Sequence, residues 1–231
     1  MDLELVQTAV PLLLKGLSAT LIITACGIFI GFPLALGLAL ARMSSSRIAS
    51  ATARAYSMVF RGTPLLVQIF IIYYGLGQLR VLRDHDLLWW FFGDGLRCAM
   101  LAMVLNTAAY TSEILRGGLM SISHGELEAA RACGMSPWVR FRRIRFPLAI
   151  RQALPAYGNE ITSIVKDSSL ASTITVLEIT GYAKRLMSET FAVIEVFTIT
   201  GILYLAINFV VLMGMKLIEG RLSGHRAGAR S

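Results

Sequence analysis

The residues of this sequence that could do chemistry are charged side chains inside mainly apolar stretches. Glu160, Lys166 and Asp167 lie within residues 150–177, where most neighbours are apolar. A charge inside a membrane helix costs roughly 2.5–3.5 kcal/mol on insertion scales, so each of these residues requires a partner or a water-filled path. Glu160 would bind an ammonium group or a basic side chain of a solute. Lys166 would bind a carboxylate, or would neutralise an Asp167 on another helix.

Helical spacing places the polar residues of this stretch on two adjacent stripes. Pro155 and Gly158 could bend or break the helix near them. A broad polar face on a bent helix suits a path for a polar solute. The other interpretation is a network of polar contacts inside the helix bundle that no solute touches, and both stay open. One stripe carries Asn159, Thr162, Lys166, Ser169 and Thr173, and the other carries Glu160, Ser163 and Asp167.

Two further apolar stretches carry polar residues of the same kind. Asn106, Tyr110 and Glu113 have the spacing of one helical face. Glu113 lies near the end of its stretch, so we expect an ion pair with an arginine of the adjoining loops. Asn106 and Tyr110 fit either a solute path or helix packing. Gln68 is the only strongly polar side chain between residues 63 and 73, which makes it a candidate for the path or its gate.

The segment from residue 116 to 151 has the signals of two short helices. Residues 124–133 are rich in Glu, Leu, Ala and Arg, which favour helix, and Gly134 is a natural helix end. At Ser136-Pro137 a capping hydroxyl precedes a proline suited to the first helical position. Phe146-Pro147 is predicted to break the second helix and return the chain to the membrane. Taken alone, the pattern also fits an amphipathic helix on the membrane surface.

The composition shows which elements must position these residues. The chain has 231 residues, of which 55% are hydrophobic and 16% charged, whereas soluble domains have about a quarter charged residues. Apolar runs of about 20 residues match a hydrocarbon core of about 30 Å. They lack the alternation of barrel strands, so the predicted fold class is an all-α, polytopic membrane bundle. The five predicted spans are residues 16–40, 63–79 (with a start as early as 56), 96–115, 150–177 and 191–217.

The distribution of basic residues predicts the orientation of these spans. The two loops and the tail on one side carry fifteen Lys and Arg residues, and the other side carries six. Basic loops stay in the cytoplasm, so the N-terminus is predicted to be periplasmic and the C-terminus cytoplasmic. Residues 89–92, which are all Trp or Phe, fit an aromatic belt at the outer interface.

Several classes of function are excluded by what the sequence lacks. The net charge of +8 fits cytoplasmic loops, and no basic segment is interleaved with stacking aromatics, so we predict no nucleic-acid binding. The three cysteines and three histidines have no metal-site or disulfide spacing. No phosphate-binding glycine loop, nucleophile elbow or metalloprotease helix is present. We therefore predict no catalytic residue, no metal and no cofactor in this chain, which is not an enzyme.

Two residue blocks of the 116–151 segment resemble the EAA loop of ABC importer permeases. The blocks are Glu128-Ala129-Ala130 with Gly134, and Ile144 with Phe146-Pro147, where the family usually has Leu at the Phe146 position. Residues 60–68, 106–114 and 154–160 resemble further segments of polar amino-acid permeases, so the likeness covers nearly the whole chain. It is greatest for the branch that imports histidine, basic amino acids and opines such as octopine and nopaline.

This resemblance implies a mechanism and a set of partners. A permease domain over residues 1–222 would import polar amino acids or opines across the bacterial inner membrane, followed by a disordered basic tail over 223–231. ATP and Mg²⁺ would be bound by a separate ATPase dimer, which receives a coupling loop at about 117–148. A second permease, either related or identical, and a periplasmic binding protein would complete the transporter. The coupling residues would be Glu128, Ala129, Ala130, Gly134, Ile144 and Pro147, and the path residues Gln68, Asn106, Tyr110, Asn159, Glu160, Lys166 and Ser169.

Two other classes of function compete with this interpretation. An ion-driven secondary transporter would show inverted repeats with broken helices, and no repeat is evident in the sequence. A membrane scaffold that moves nothing would have no use for the polar face between residues 150 and 177.

Overall fold

The computed structural model describes residues 3–223, and every regular element within this range is helical. The predicted basic tail lies outside the described residues from position 224 onward. The elements are α1 (Leu3–Lys15), α2 (Leu17–Arg42), α3 (Arg47–Gly62), α4 (Leu65–Phe70), α5 (Arg80–Arg83), α6 (Asp86–Phe92), α7 (Gly95–Met120), α8 (His124–Ala132), α9 (Pro137–Arg140), α10 (Phe146–Asp167), α11 (Ile179–Thr190) and α12 (Val193–Ser223).

Three of these helical stretches are long and apolar enough to cross a membrane, and a fourth qualifies if a bent pair forms one span. The bent pair is α3 with the stretch from Leu65 to Gln78, and the two parts meet at 102°. The helix α10, which carries the charged residues Arg151, Glu160, Lys166 and Asp167, is not among them. The three straight stretches are Glu4–Arg42, Gly95–Met120 and Val193–Arg221.

The first helical stretch begins earlier than the sequence predicts. Residues 3–15 already form α1, and only Gly16 separates it from α2. A Cβ atom at Gly16 would lie 2.4 Å from the backbone of Glu178 and Ile179. No local signal marks this junction, because the approach of the 178–179 backbone is a tertiary contact.

The second predicted span is bent rather than straight. Thr63 and Pro64 both have extended backbone between α3 and α4. A residue before proline is driven out of the helical region, and proline itself has no N–H to continue a helix. The chain then resumes as α4, a π-helical turn (Ile71–Gly75) and a 3₁₀ turn that ends at Gln78.

The predicted break at Phe146-Pro147 is wrong, because helix continues through these residues. A π-helical turn over Phe141–Arg145 precedes α10 and places Pro147 in the first turn of α10. A local π-helical adjustment lets a helix accommodate the N–H that proline lacks, so the helix continues. Pro155 does not end α10 either, and the helix runs on to Asp167.

The end of the fourth predicted span also differs from a simple helix. A 3₁₀ stretch, Ser168–Ile174, follows α10 and ends at Thr175, whose φ is +71°. The next helix, α11, has no counterpart in the sequence prediction, because its composition is too polar to resemble a span. It leads into α12, the fifth predicted span.

The helix α7 lies at the centre of the packing. It packs against α2 along most of its length and also against α3 and α10. Ala35 and Ala39 of α2 and Ala108 of α7 are completely buried, and small residues let helix backbones approach closely. Tyr56 of α3 donates a hydrogen bond to the carbonyl of Leu105 at 2.8 Å. Both α3 and α10 are thus held against α7.

Candidate functional site

A cavity of about 590 Å³ opens where the bend between α3 and α4 faces α7 and α10. The bend contributes backbone and small side chains, and the two long helices contribute most of the polar groups. The lining residues are Arg61, Gly62, Thr63, Pro64, Leu65, Leu66, Asn106, Tyr110, Glu160, Ser163, Asp167 and Leu170.

The cavity lies near the middle of α7. This helix has 26 residues, so at about 1.5 Å per residue it is about 39 Å long, and Asn106 lies about 17 Å from its start. Irregular backbone at such a depth in a membrane is tolerated where it lines a water-filled cavity. The bend at Thr63 and Pro64 lines the cavity.

Two buried amides hold the bend in place. The Nε2 atom of Gln68 donates to the carbonyls of Phe60 (2.8 Å) and Thr63 (3.0 Å) and to the Thr63 hydroxyl (2.9 Å). The Nδ2 atom of Asn106 donates to the Gln68 carbonyl oxygen at 3.1 Å and to the Phe60 carbonyl at 3.3 Å. Gln68 is only 6% exposed and does not line the cavity. The bend therefore has polar partners for the carbonyls that it frees from the helix.

The helix α10 supplies two carboxylates to the cavity. Glu160, Ser163 and Asp167 are three and four residues apart, so they share one stripe of the helix. All three line the cavity. Neither Glu160 nor Asp167 has a cation within 4.0 Å or a side-chain hydrogen bond among residues 3–223. The cavity thus presents two carboxyl groups that are open to a cationic ligand.

An arginine lies at the edge of the same cavity. The guanidinium carbon of Arg61 is 5.4 Å from the centre of the Tyr110 ring, and the Tyr110 hydroxyl donates to the Arg61 carbonyl at 3.4 Å. The same guanidinium is 3.9 Å from Glu113, which also pairs with Arg42 and Arg116. Glu113 therefore has the predicted ion pairs with arginines, although these lie in α2, α3 and α7 rather than in loops.

The other stripe of α10 lies away from the cavity. Asn159 and Lys166 are exposed, Ser169 is half-buried, and none of the three lines the cavity. Asn106, Tyr110 and Glu160 are the predicted path residues that the cavity brings together. Sequence reasoning did not choose Arg61, Ser163 or Asp167, although the last two shared a stripe with Glu160. The signal for Arg61 was its place as the last charged residue before the Gly-Thr-Pro bend.

The two-helix element predicted after α7 is present as α8 and α9. Ser123 and Ser136 cap the two helices, accepting from the N–H groups of Glu126 and Val139. Gly134 ends α8 with φ at +72°, and the N–H of Met135 donates back to the Ala130 carbonyl at 3.2 Å. This is the glycine-terminated helix end that the sequence predicts.

The six predicted coupling residues occupy different environments on this element. Glu128 and Ala129 are exposed on α8, whereas Ala130 is buried beneath them. Ile144 in the π-helical turn and Pro147 at the start of α10 are both half-buried. Trp138 stacks on Phe141 and is 67% exposed, which leaves a large apolar side chain in solvent. An exposed tryptophan beside a short rigid element is typical of a surface that contacts a partner.

Comparison with known proteins identifies what this arrangement belongs to. The family model described as "binding-protein-dependent transport system inner membrane component" matches residues 31–224, which include the cavity and the two-helix element. The nopaline transport system permease protein NocM of Agrobacterium fabrum is 50% identical over 225 residues, or 97% of this chain and 93% of that protein. The histidine/lysine/arginine/ornithine transport system permease protein HisM of Salmonella typhimurium is 39% identical, covering 91% of this chain and 89% of that protein.

Solved structures show the same fold. A chain in the crystal structure of an amino acid ABC transporter with histidines superposes with a TM-score of 0.82 at 32% identity, over 96% of this chain and 99% of that one. A chain of the inward-facing MetNI methionine ABC transporter has a TM-score of 0.75 at 18% identity, a likeness of fold alone, over 96% of this chain and 99% of that one. This chain therefore belongs to the family of binding-protein-dependent transport system inner membrane components.

Proposed function

We propose that this chain is the permease subunit of a bacterial ABC importer for cationic or zwitterionic amino acids, opines included. The observation that carries the proposal is the pair Glu160 and Asp167, which line the mid-depth cavity with no cation within 4.0 Å among the described residues. Charges inside a membrane protein require partners. Ammonium and guanidinium groups supply both the opposite charge and N–H donors for carboxylate oxygens.

The names of the relatives agree with this substrate class. One relative is named for nopaline transport, two for octopine, and others for histidine, lysine, arginine and ornithine. The last four are amino acids with basic side chains, which suit a cavity with two carboxylates. The chain itself is a transport subunit and not an enzyme, so ATP hydrolysis belongs to a separate ATPase subunit with its own ATP and Mg²⁺.

The arrangement in the inner membrane follows from the helices and their charges. We assign five spans: α1 with α2, the bent α3–α4 stretch to Gln78, α7, α10 and α12. Glu160, Ser163 and Asp167 of α10 face the cavity, and other residues of α10 pack against α7 and α12, so we assign α10 as a span despite its charges. The N-terminus is periplasmic and the C-terminus cytoplasmic, because the segments rich in arginine then lie inside.

The element formed by α8 and α9 is the coupling loop in this proposal. Capping serines, a left-handed glycine and the buried Ala130 make it compact. A compact element transmits a displacement from the ATPase to α7 and α10, which continue from its two ends. The residues assigned to coupling are Glu128, Ala129, Ala130, Gly134, Ile144 and Pro147, and Trp138 joins them by its exposure.

The partners complete a path that one chain leaves open. The single permease domain over residues 1–222 supplies one cavity wall, and a second permease, a copy or a related chain, supplies the facing wall across a two-fold or pseudo-two-fold axis. Two ATPase subunits bind the coupling loops from the cytoplasm. A periplasmic amino-acid-binding protein delivers the substrate from the opposite side.

The test is direct binding and uptake of labelled L-arginine by the whole transporter reconstituted in proteoliposomes. We expect Glu160→Gln with Asp167→Asn to weaken arginine binding by at least about tenfold, because two charge-assisted hydrogen bonds are lost. Uptake at limiting substrate falls in proportion, while the complex still assembles and hydrolyses ATP.

Two matched variants separate this site from other carboxylates and from the second stripe of α10. Glu189→Gln removes an exposed carboxylate that pairs with Arg185 at 3.2 Å, and it is expected to leave binding unchanged. Lys166→Gln tests the predicted path residue that faces away from the cavity. Unchanged arginine binding in the double carboxylate variant would reject the cavity as the substrate path.

A further inference from the structure

Glu113 is shared by three arginines from three different elements. Arg42 ends α2 and contacts the Oε1 atom of Glu113, while Arg116 of α7 donates to Oε2 at 3.1 and 3.0 Å. The third arginine, Arg61 at the end of α3, is 3.9 Å from Oε1. One carboxylate therefore faces three positive charges, and Arg61 has the longest contact of the three.

Arg61 is also the most exposed of the four side chains. Its side chain is 43% exposed, against 17% for Arg42, 30% for Arg116 and 16% for Glu113. Arg61 makes no side-chain hydrogen bond among the described residues, and its guanidinium rests on the Tyr110 ring. A loosely held, exposed arginine has conformational freedom that the two tightly paired arginines lack.

The conformational freedom of the Arg61 side chain matters because of where this residue lies. Arg61 lines the same cavity as Glu160 and Asp167. A guanidinium group on a tether is chemically equivalent to the side chain of a cationic substrate, and a short tether gives an effective concentration in the millimolar range. Arg61 can therefore compete with the substrate for the two carboxylates unless another anion holds it aside.

We propose that Glu113 is a positioning residue that holds Arg61 away from Glu160 and Asp167 and so keeps the cavity open to cationic substrates. This inference rests on the proposed function, since it takes the two carboxylates as the substrate site. Arg42 and Arg116 fix the Glu113 carboxylate, and Glu113 with the Tyr110 ring fixes Arg61. When Glu113 loses its charge, Arg61 is free to turn to the carboxyl groups of the cavity, which it also lines.

The experiment measures binding of labelled L-arginine to the purified transporter without binding protein, in nanodiscs. We expect Glu113→Gln to raise the dissociation constant about tenfold, because the released tethered cation occupies the site. Adding Arg61→Gln to the same chain removes the competitor, so the dissociation constant returns to within about threefold of the native value.

Rescue by the second substitution separates positioning from a structural role. If Glu113 only stabilised the cytoplasmic ends of α2 and α7, Arg61→Gln would not restore binding, and that result would overturn the proposal. Glu189→Gln, which breaks the exposed pair with Arg185, is the matched control for carboxylate removal.

A single substitution covers the case in which Glu113→Gln does not assemble. Arg61→Gln alone is expected to tighten arginine binding by about twofold to threefold, because the residual competition disappears. Weaker binding in this variant would make Arg61 a substrate ligand and would contradict the proposal. If instead the Glu160 and Asp167 variant binds arginine normally, the proposed substrate site fails, and this is a different result from failure of rescue.

Discussion

Two glutamates in this chain show opposite ways of placing a carboxyl group inside a membrane protein. Glu178 is completely buried, and its oxygens accept hydrogen bonds from the N–H groups of Thr180 (2.9 Å) and Gly181 (2.8 Å) and from the Tyr204 hydroxyl (2.6 Å). Glu160 lines the cavity with no such partner among the described residues. A buried polar group with complete hydrogen bonds stabilises a fold, whereas one without partners is available to a ligand.

The two glutamates also lie in regions with different roles. Glu178 begins α11 and joins it to α12 through Tyr204, while the adjacent Ile179 N–H donates to Thr20 of α2 at 3.4 Å. Gly16, between α1 and α2, packs directly on this backbone. These five residues, the Glu178 cluster, join four helices. The cavity, in contrast, lies where the chain bends and the helices diverge. The difference predicts that the Glu178 cluster controls the stability of the fold and that the cavity controls substrate binding.

The largest expected effect comes from disrupting the Glu178 cluster. We expect Glu178→Ala to lower the free energy of unfolding by about 3–5 kcal/mol, because three buried donors lose their acceptor. In a chain of this size the thermal midpoint would fall by about 10 °C, measured by fluorimetry on the purified transporter. Glu160→Gln should leave the midpoint unchanged and weaken arginine binding instead. Equal losses of stability in both variants would erase the distinction between the two glutamates.

A smaller effect is expected at Gly16, which packs closely on the backbone of the Glu178 cluster. Gly16→Ala would place a methyl group 2.4 Å from the backbone of Glu178 and Ile179, a distance that requires the helices to move apart. Overpacking of this kind costs about 1–3 kcal/mol, which the same thermal measurement detects. The control is Gly37→Ala on α2, where no atom lies within 4 Å of the new methyl. Because alanine favours helix over glycine, that variant should be neutral or more stable.

The sequence identifies the cavity better than the Glu178 cluster, because the signals for the cavity residues are local. Glu160, Ser163 and Asp167 share a stripe because they lie on one helix, and helical spacing requires no tertiary knowledge. Their charges also stand out against apolar neighbours. The signals that end α8 at Gly134 and begin α9 at Pro137 are likewise local, so both helices could be predicted.

The contacts that the sequence does not predict are those between distant residues. Gln68 was expected at the path or its gate, yet its donors go to Phe60 and Thr63, whose carbonyls are free only because the chain bends there. Glu178 lies at the edge of an apolar stretch and meets Tyr204 across 26 residues of chain. Arg61 approaches Glu113 through the packing of α3 on α7. Each of these contacts depends on how helices pack, which spacing along the chain does not encode.

The smallest expected effect concerns the turn that joins α8 to α9. Gly134 has φ at +72° with no atom within 4 Å of an added methyl group, so Gly134→Ala adds backbone strain without a clash. An L-residue in this left-handed region costs about 1–2 kcal/mol, which corresponds to an approximately tenfold loss of amide protection in residues 123–137. Hydrogen exchange with mass spectrometry on the whole transporter measures this loss directly.

The control for the turn lies on the same short helix. Gly125 of α8 has ordinary helical backbone and no neighbour within 4 Å, so Gly125→Ala should raise protection of the same amides by favouring helix. Opposite changes from two identical substitutions nine residues apart would show that the left-handed turn, and not helix content, keeps the element compact. If both variants raised protection, the turn would tolerate a side chain, and the rigidity assigned to the coupling loop would have to come from Ala130 and the capping serines.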